Sequence, residues 1–354
     1  MMKEIGSSFW LSHGEKNRST IDCRVFNTDY EDSVFTTSGR GAMSLILSEL
    51  KTECKRVLLP SFSCESVIDP FIKHGYEVFY YSVDRTLNIR EEAFLKEIGA
   101  RDPSVVLIHS YYGFDTASEV RETVKNLRAS GITVIEDITQ TLYSSFPRLS
   151  ADYYVGSFRK WEGLSDGGFA LKVKGSFAQK PQARDDELRD AGLKAMTAKY
   201  DYLFGGIGEK SAFLQMFAEA EELLEREEQV YRMSDASYFE HANLDIEDLR
   251  SRRRGNFRFL LDNLRNERAT PLFKELPDDT VPLYFPILCR QDRKEVQVLL
   301  REKSVYAPVV WPKPDNVKEN YGESDLFYTN LLCIPCDQRY GLEEMNYIVE
   351  ILNS

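Results

Sequence analysis

The chain alternates short apolar runs with amphipathic segments from about residue 55 onward. The runs with the length and residue types of buried strands are 57–59, 77–83, 105–110 and 133–135. Segments 61–74 and 117–130 repeat apolar residues at helical spacing, and a glycine follows each of them. Strands that alternate with helices predict an α/β fold with a largely parallel sheet covered on both faces.

The second half of the chain has a different pattern. Strands at 153–158 and 169–173, joined across Gly167 and Gly168, are typical of a hairpin, whereas the polar, glycine-rich stretch 177–208 predicts an irregular excursion. A long amphipathic helix at 211–230 follows, and we place a domain boundary just beyond it. The elements of a smaller α/β domain are predicted as helices 245–266 and 293–303, strands at 283–289, near Val309 and at 331–334, and a final helix from Leu342.

Composition and charge exclude several classes of protein. Of the 354 residues, 45 are Lys or Arg and 57 are Asp or Glu, which gives a net charge of −12 and disfavours a nucleic-acid partner. The longest apolar runs are far shorter than the ~18 residues of a membrane span, and the first residues have no apolar signal region. Six cysteines are ordinary for reduced thiols. We therefore expect a cytoplasmic, globular enzyme that acts without membrane or nucleic acid.

The sequence also contains little evidence of a metal site or of a nucleoside-triphosphate site. Cys333 and Cys336 form a C-x-x-C pair, but no second pair completes a zinc site, so we interpret them as packed strand cysteines. The four histidines, at positions 13, 74, 109 and 241, form no H-E-x-x-H motif, and the sequence has no P-loop. The arginine run 252–254 is interpreted as a solvated helix face. No metal site is predicted.

Three features together indicate pyridoxal phosphate as a cofactor. Asp137 closes the strand at 133–135, and ligands of open α/β sheets bind beyond the carboxyl ends of strands. The segment 38–42 (SGRGA) precedes an apolar helix, and a glycine-containing helix start favours a phosphate. Lys160, between Phe158 and Trp161, is expected to be partly buried and therefore nucleophilic. A phosphate cradle, a strand-end acid and such a lysine are what this cofactor requires.

At these residues the sequence resembles the DegT/DnrJ/EryC1/StrS aminotransferases, which are fold type I enzymes. The segments that carry the resemblance are TSGRGAMSLIL, VLLPSFSCESVIDPF, VVLIHSYYGF, VIEDITQT, SFRKW with SDGGFAL, and VYRMSDAS. The resemblance implies a large domain with a mostly parallel, seven-stranded sheet and a smaller C-terminal α/β domain. We assign residues 1–35 to an N-terminal arm, 36–235 to the large cofactor-binding domain and 236–354 to the small domain.

The resemblance also implies a role for individual residues. Lys160 would bind pyridoxal 5'-phosphate covalently and then transfer the proton, Asp137 would pair with the pyridine nitrogen, and Gln140 would contact the phenolic oxygen. The residues expected at the phosphate are Arg40 and Gly41, through backbone donors, and Ser157, through its hydroxyl. The implied enzyme is a homodimeric aminotransferase that moves an amino group from glutamate to a nucleotide-linked keto-sugar, in polysaccharide or glycosylated-metabolite biosynthesis.

The chain departs from the family pattern at three places. Cys64 stands where the family has an aromatic residue that stacks on the cofactor, and His109 is one substitute. The spacing from Ser157 to Lys160 is shorter than in the family. Val230 replaces an asparagine of the partner subunit that contacts the phosphate, and Ser234 is an alternative.

Other functions stay open at this point. Residues 163–167 (GLSDG) match the G-x-S-x-G motif of hydrolases, although a strand rather than a helix is predicted after them. Another fold type I reaction, such as that of a lyase or an amino-acid transaminase, uses the same lysine, and a non-catalytic protein that binds the cofactor or a nucleotide-sugar is a third alternative. Arg232 and Arg339 are candidate contacts for a sugar-linked diphosphate.

Overall fold

The computed structural model describes residues 4–11, 20–226, 229–266, 268–290, 292–317 and 321–354. His13, part of the predicted arm 1–35 and residues 227–228 of the predicted helix 211–230 lie outside the described residues. The fold class is the predicted one, α/β with a seven-stranded, mostly parallel sheet. Along the described residues no helix has both the length and the apolarity needed to cross a membrane.

The elements follow one another along the chain in the predicted alternation. The strands are β1 (Ile5–Gly6), β2 (Asp32–Thr36), β3 (Arg56–Pro60), β4 (Glu77–Tyr81), β5 (Val105–His109), β6 (Thr133–Asp137), β7 (Tyr153–Ser157), β8 (Gly168–Lys172), β9 (Ala269–Pro271), β10 (Phe285–Cys289), β11 (Val305–Tyr306) and β12 (Leu331–Ile334). The helices are α1 (Gly39–Glu49), α2 (Glu65–Lys73), α3 (Glu91–Arg101), α4 (Arg121–Ala129), α5 (Asp186–Tyr200), α6 (Lys210–Glu225), α7 (Asp235–Ala242), α8 (Ile246–Asn263), α9 (Arg293–Glu302), α10 (Ser324–Asn330) and α11 (Leu342–Asn353).

The chain divides into two compact units. The first comprises the described residues of Met1–Ser7, Lys51–Asp152 and Ile246–Ser354. In it, β6, β5, β3 and β4 lie side by side and are all parallel, because a helix connects each strand from β3 to β6 with the next one along the chain. Strand β5 is buried at every position, as its apolar sequence VVLIH predicts. The first unit also holds the antiparallel sheet β12-β10-β9 and the short parallel pair of β1 and β11.

The second unit comprises the described residues of Ser8–Leu50 and Tyr153–Asp245. Its strands run antiparallel in the order β2-β8-β7, so the hairpin predicted across Gly167 and Gly168 is confirmed. A short 3₁₀ turn at Phe158–Lys160 follows β7. The domain limits 35/36 and 235/236 stay predictions.

Two expectations about helices were wrong. Helix α5 lies inside the stretch predicted to be irregular, with Asp185 as its N-cap through a bond from Leu188 N–H to the carboxylate at 2.9 Å. Gly192 does not break it; a Cβ there would lie 2.7 Å from the Ser165 Cβ, so the glycine allows close packing. Helix α6 ends at Glu225, short of the predicted Val230.

The arginine run 252–254 is only partly a solvated face. Arg252 is exposed and pairs with Asp248 at 2.8 Å. Arg253, however, is fully buried, and its Nη1 donates to the carbonyls of Pro282 and Leu283 at 3.2 and 2.9 Å. Burial of a charged guanidinium costs free energy, and this cost is offset only where several oxygens accept hydrogen bonds from its N–H groups.

Candidate active site

Asp137 ends β6, and its neighbours in the first unit fix its surroundings. The register pairs it with His109 at the end of β5. Asp137 Oδ1 accepts a hydrogen bond from Thr139 N–H at 2.8 Å. Burial raises the pKa of Asp137, although the hydrogen bonds from Thr139 oppose this effect. A buried carboxylate is stabilised by a protonated nitrogen, so this position suits a pyridinium partner.

Glu136 points to the other face of β6, as strand geometry predicts. Its Oε2 accepts a bond from Leu149 N–H at 2.8 Å. Burial raises the pKa of Glu136 to about 7, in spite of the opposing charge of Arg148. The two adjacent carboxylates therefore have separate surroundings within the first unit.

Gln140 lies in the turn after β6, and one hydrogen bond orients its amide. Oε1 accepts from the backbone N–H of Tyr112 at 2.7 Å. Because the amide oxygen is used in this way, the amide nitrogen is the group left to donate. A donor beyond the carboxyl end of β6 suits a ring oxygen of a bound cofactor.

His109 is packed among aromatic rings of the first unit. Its ring centroid lies 4.6 Å from that of Tyr111 and 5.5 Å from that of Trp311, and Nε2 lies 3.3 Å from the Phe62 carbonyl oxygen. Burial lowers the pKa of His109 to about 4, so the imidazole is neutral near pH 7. Cys64 is the N-cap residue of α2 and accepts a bond from Ser66 Oγ at 3.1 Å. Trp311 was not predicted to lie near this strand end, because nothing in its local sequence relates it to β5.

The predicted phosphate cradle is the start of α1 in the second unit. Ser38 caps the helix, and its Oγ accepts from Gly41 N–H at 2.9 Å. One of the two backbone donors assigned to the phosphate is thus used by the cap. Ser157 is close by, since a Cβ on Gly39 would lie 3.6 Å from the Ser157 Cβ, and its hydroxyl donates to Gly167 O at 3.3 Å.

Lys160 ends the 3₁₀ turn after β7 and is exposed, so the expected partial burial of its side chain was wrong. The rings on either side of it, Phe158 and Trp161, are fully buried, which leaves the lysine to point away from the core. Its neighbour Arg159 forms an ion pair with Glu221 of α6. Desolvation acts to raise the pKa of Glu221, but the charges of Arg159, Lys160 and Arg40 outweigh this effect and lower the pKa. Arg40 and Lys160 are therefore parts of one charged cluster.

This cluster contains two donors without acceptors. The Nε atoms of Arg40 and Arg159 are buried and have no hydrogen-bond partner among the described residues. Buried N–H groups without a partner are costly, and a bound anion would satisfy them. These side-chain donors of the second unit thus suit a phosphate group, whereas the segment SGRGA predicted backbone donors only.

The strand predicted after GLSDG is confirmed, and it excludes the hydrolase alternative. Ser165 is buried, and its Oγ lies 3.1 Å from Ser237 Oγ and 3.4 Å from Asp166 Oδ1. Strand β8, not a helix, begins at Gly168, so no nucleophile elbow forms. Asp166 instead accepts bonds from Ser234 N–H and Oγ, both at 2.7 Å, and so holds the start of α7.

Three further expectations can be compared with the structure. Arg339 is half-buried and pairs with Asp337 at 2.7 Å, and Arg232 pairs with Asp235 at 2.7 Å, so both guanidinium groups already have carboxylate partners. Cys333 lies in β12 and Cys336 just after it, and both are buried, free thiols.

A family model matches the amino-terminal part of the chain. Residues 1–165 match the model of the DegT/DnrJ/EryC1/StrS aminotransferase family. The predicted resemblance to this family is confirmed. The matched range contains all of the six assigned positions: Arg40, Gly41, Asp137, Gln140, Ser157 and Lys160. Aminotransferases of the family depend on pyridoxal phosphate, which agrees with the predicted enzyme class and cofactor.

Solved structures agree with the fold of the family. PseC of Helicobacter pylori, an aminotransferase involved in the biosynthesis of pseudoaminic acid, is 15% identical over 99% of this chain and 98% of its own, with a TM-score of 0.70. The putative sugar aminotransferase Spr1654 of Streptococcus pneumoniae, in its PMP form, is 15% identical over 94% and 89%, with a TM-score of 0.68. The sugar aminotransferase CalS13 of Micromonospora echinospora is 16% identical over 91% and 86%, with a TM-score of 0.64. No curated protein sequence matches the chain.

Proposed function

We propose that the protein is a pyridoxal-phosphate-dependent aminotransferase that moves an amino group from glutamate to a nucleotide-linked keto-sugar. The observation that carries the proposal is the cluster around Lys160. The lysine of the family motif is present, and beside it lie buried guanidinium donors of Arg40 and Arg159 that have no partner among the described residues. A phosphorylated cofactor that reacts with a lysine satisfies both features at once.

In this proposal, two residues of the first unit form hydrogen bonds with the ring of the cofactor. Asp137 would accept a hydrogen bond from the protonated ring nitrogen, and its buried carboxylate would favour that positive charge. Gln140, with its oxygen fixed by Tyr112 N–H, donates through its amide nitrogen to the phenolic oxygen. Both assignments agree with the E-D-x-x-Q segment that carried the resemblance.

Lys160 performs the covalent and proton-transfer steps. Pyridoxal phosphate, when bound, supplies an electron sink that stabilises a carbanion at the Cα atom of the amino acid. Lys160 Nζ would take the proton from Cα of the amino donor and deliver it to C4′ of the cofactor. The exposed lysine side chain has the freedom to move between these two positions. The reaction is ping-pong, with the amino donor leaving before the keto-sugar binds.

The proposed substrates go beyond what the match to the family model gives. PseC and CalS13, to which the chain is similar in fold, are respectively an aminotransferase of pseudoaminic acid biosynthesis and a sugar aminotransferase. These relatives support a sugar acceptor, and the nucleotide link and the glutamate donor are our extension of it. Homodimer formation and a cytoplasmic location likewise stay predictions.

Borohydride trapping tests the cofactor assignment. The purified protein is mixed with pyridoxal phosphate, its visible absorbance is recorded, and it is reduced and digested for peptide mapping. We expect the reduced cofactor on Lys160. The variant K160R should lose both the band and the label, whereas K174R, which changes an exposed lysine elsewhere in the second unit, should keep both. A label on another lysine, or no label, would refute the assignment.

Half-reactions test the substrates. Glutamate should convert the lysine-bound cofactor to the pyridoxamine form, and a nucleoside-diphosphate keto-sugar should reverse the change, whereas the same keto-sugar without its nucleotide should do so much more slowly. 2-Oxoglutarate, the product of glutamate, must also reverse the change; reversal by a different 2-oxo acid and not by the keto-sugar would favour an amino-acid transaminase instead.

A further inference from the structure

The imidazole of His241 makes two unlike contacts in the interior of the second unit. It lies near the end of α7 and is buried. Nδ1 forms a hydrogen bond with the carboxylate of Glu162, which is also buried. The face of the same ring stacks on Phe158, with the ring centroids 3.8 Å apart and the planes at 27°.

The two residues that His241 contacts flank Lys160. Phe158 lies two residues before the lysine, and Glu162 two residues after it. Phe158 also begins the turn, because its N–H donates to Gly167 O at 3.1 Å and its carbonyl accepts from Trp161 N–H at 2.8 Å. One imidazole therefore holds the chain on both sides of the lysine.

This arrangement matters because the lysine side chain is not held by burial. Lys160 is exposed, so the position of its Cα depends on the segment 158–162. Phe158 packs against Phe169 and Phe26, with ring centroids 4.9 and 6.1 Å away, and the imidazole–carboxylate bond lies beside these apolar rings. A hydrogen bond in such surroundings is strong and directional, and its loss would leave a buried carboxylate without its partner.

We propose that His241 is a positioning residue that fixes the segment 158–162 and thereby aims Lys160. The inference rests on the proposed function of Lys160 as the cofactor lysine. His241 acts through Phe158 and Glu162 and touches neither cofactor nor substrate. A displacement of about 1 Å at a reacting group lowers a rate by up to ~100-fold, so a small change in this segment is measurable.

The variants separate positioning from folding. H241F/E162L replaces the hydrogen-bonded pair by apolar side chains and keeps a ring for the stack with Phe158, so that no buried polar group is left unpaired. E162Q is the conservative variant, because its amide oxygen can still accept from the imidazole. F239L changes a ring of the same helix that is 40% exposed and serves as the matched control.

Three measurements are made on each protein. The first is the rate at which pyridoxal phosphate forms the borohydride-trappable bond to Lys160. The second is the affinity for pyridoxamine phosphate, which carries the same phosphate and ring but cannot bond to a lysine. The third is amide hydrogen exchange across 158–162 in the cofactor-free protein. For H241F/E162L we expect bond formation to slow by about tenfold or more and exchange in this segment to become faster, whereas the affinity for pyridoxamine phosphate should fall by a clearly smaller factor, since only Arg159 of the two phosphate donors lies in the segment. E162Q and F239L should resemble the wild type.

The results distinguish the inference from the proposed function. Wild-type rates and exchange in H241F/E162L would overturn the positioning role, and so would a loss of pyridoxamine phosphate affinity as large as the loss of rate, since that is the behaviour of a general structural residue. Failure of the wild type itself to form the bond would refute the function of Lys160. In that event the exchange measurement still decides whether His241 fixes the segment 158–162.

Discussion

Arg159 lies one residue before the lysine assigned to the cofactor and donates a hydrogen bond to the carboxylate of Glu221. The ion pair joins the turn after β7 to α6, within the second unit. It leaves Arg159 Nε buried and without a partner among the described residues. A phosphate at this place would meet two guanidinium groups and one carboxylate, and the carboxylate opposes its binding.

Neutralising that carboxylate should therefore strengthen phosphate binding. In E221Q we expect the affinity for pyridoxamine phosphate to rise by about fivefold at low salt, the effect of one partly exposed charge, and the gain to shrink as salt screens it. E222Q is the matched control, because Glu222 is the next residue of α6 and pairs with Arg226. Equal affinities for E221Q and E222Q would show that Glu221 does not face the phosphate.

Asp137 is expected to matter for turnover more than for cofactor attachment. In D137N the ring nitrogen loses its anionic partner, and we expect kcat with glutamate to fall by about 100-fold or more. The bond between Lys160 and pyridoxal phosphate should still form and be trapped by borohydride. A stopped-flow measurement of the glutamate half-reaction checks this split, and a near-normal rate would exclude Asp137 from the proposed role.

The sequence predicted the central elements well because their signals are local. Apolar runs identified β3, β5 and β6, and the motif residues Asp137 and Lys160 could be assigned from short segments. Helix α5 was missed because Gly192 has the appearance of a helix breaker. Only its packing against Ser165, a residue distant in sequence, explains a glycine at that position.

Other parts of the candidate site depend on contacts that no local pattern encodes. Glu221 belongs to a run of acids that is typical of a solvated face, and its partner Arg159 lies 62 positions away. The bond between His241 and Glu162 spans 79 positions. Arg253 is buried because carbonyls of a remote segment accept its donors, which a run of three arginines does not reveal.

Glu136 should make the stability of the protein depend on pH. Burial raises its pKa from 4.5 to about 7 in the folded protein. The folded state therefore holds this proton more tightly than the unfolded state, so the stabilisation is complete below pH 4.5 and is lost as the pH rises through about 7. The uncharged variant E136Q lacks this loss. We expect its advantage in free energy of unfolding to grow by up to about 3 kcal/mol between pH 5 and pH 8.

Urea unfolding of E136Q and the wild type at several pH values measures this difference. D152N is a suitable control, since Asp152 is a partly exposed carboxylate of the first unit that pairs with Arg128. A constant difference between E136Q and the wild type from pH 5 to pH 8 would contradict the raised pKa of Glu136.

Gly168 should tolerate no side chain, because it lies where β8 passes the start of α1. It pairs in register with Thr36 on one side and Ser157 on the other. A Cβ here would lie 2.2 Å from the carbonyl carbon of Ser38, the residue that caps α1. In G168A we expect unfolding to become easier by about 2–3 kcal/mol, and the affinity for pyridoxamine phosphate to fall because the cap moves. G99A, in α3, meets no atom within 4 Å and should instead stabilise by about 0.5–1 kcal/mol. Thermal unfolding and ligand titration of both variants check the prediction, and a G168A protein as stable as the wild type would show that β8 and α1 can separate at no cost.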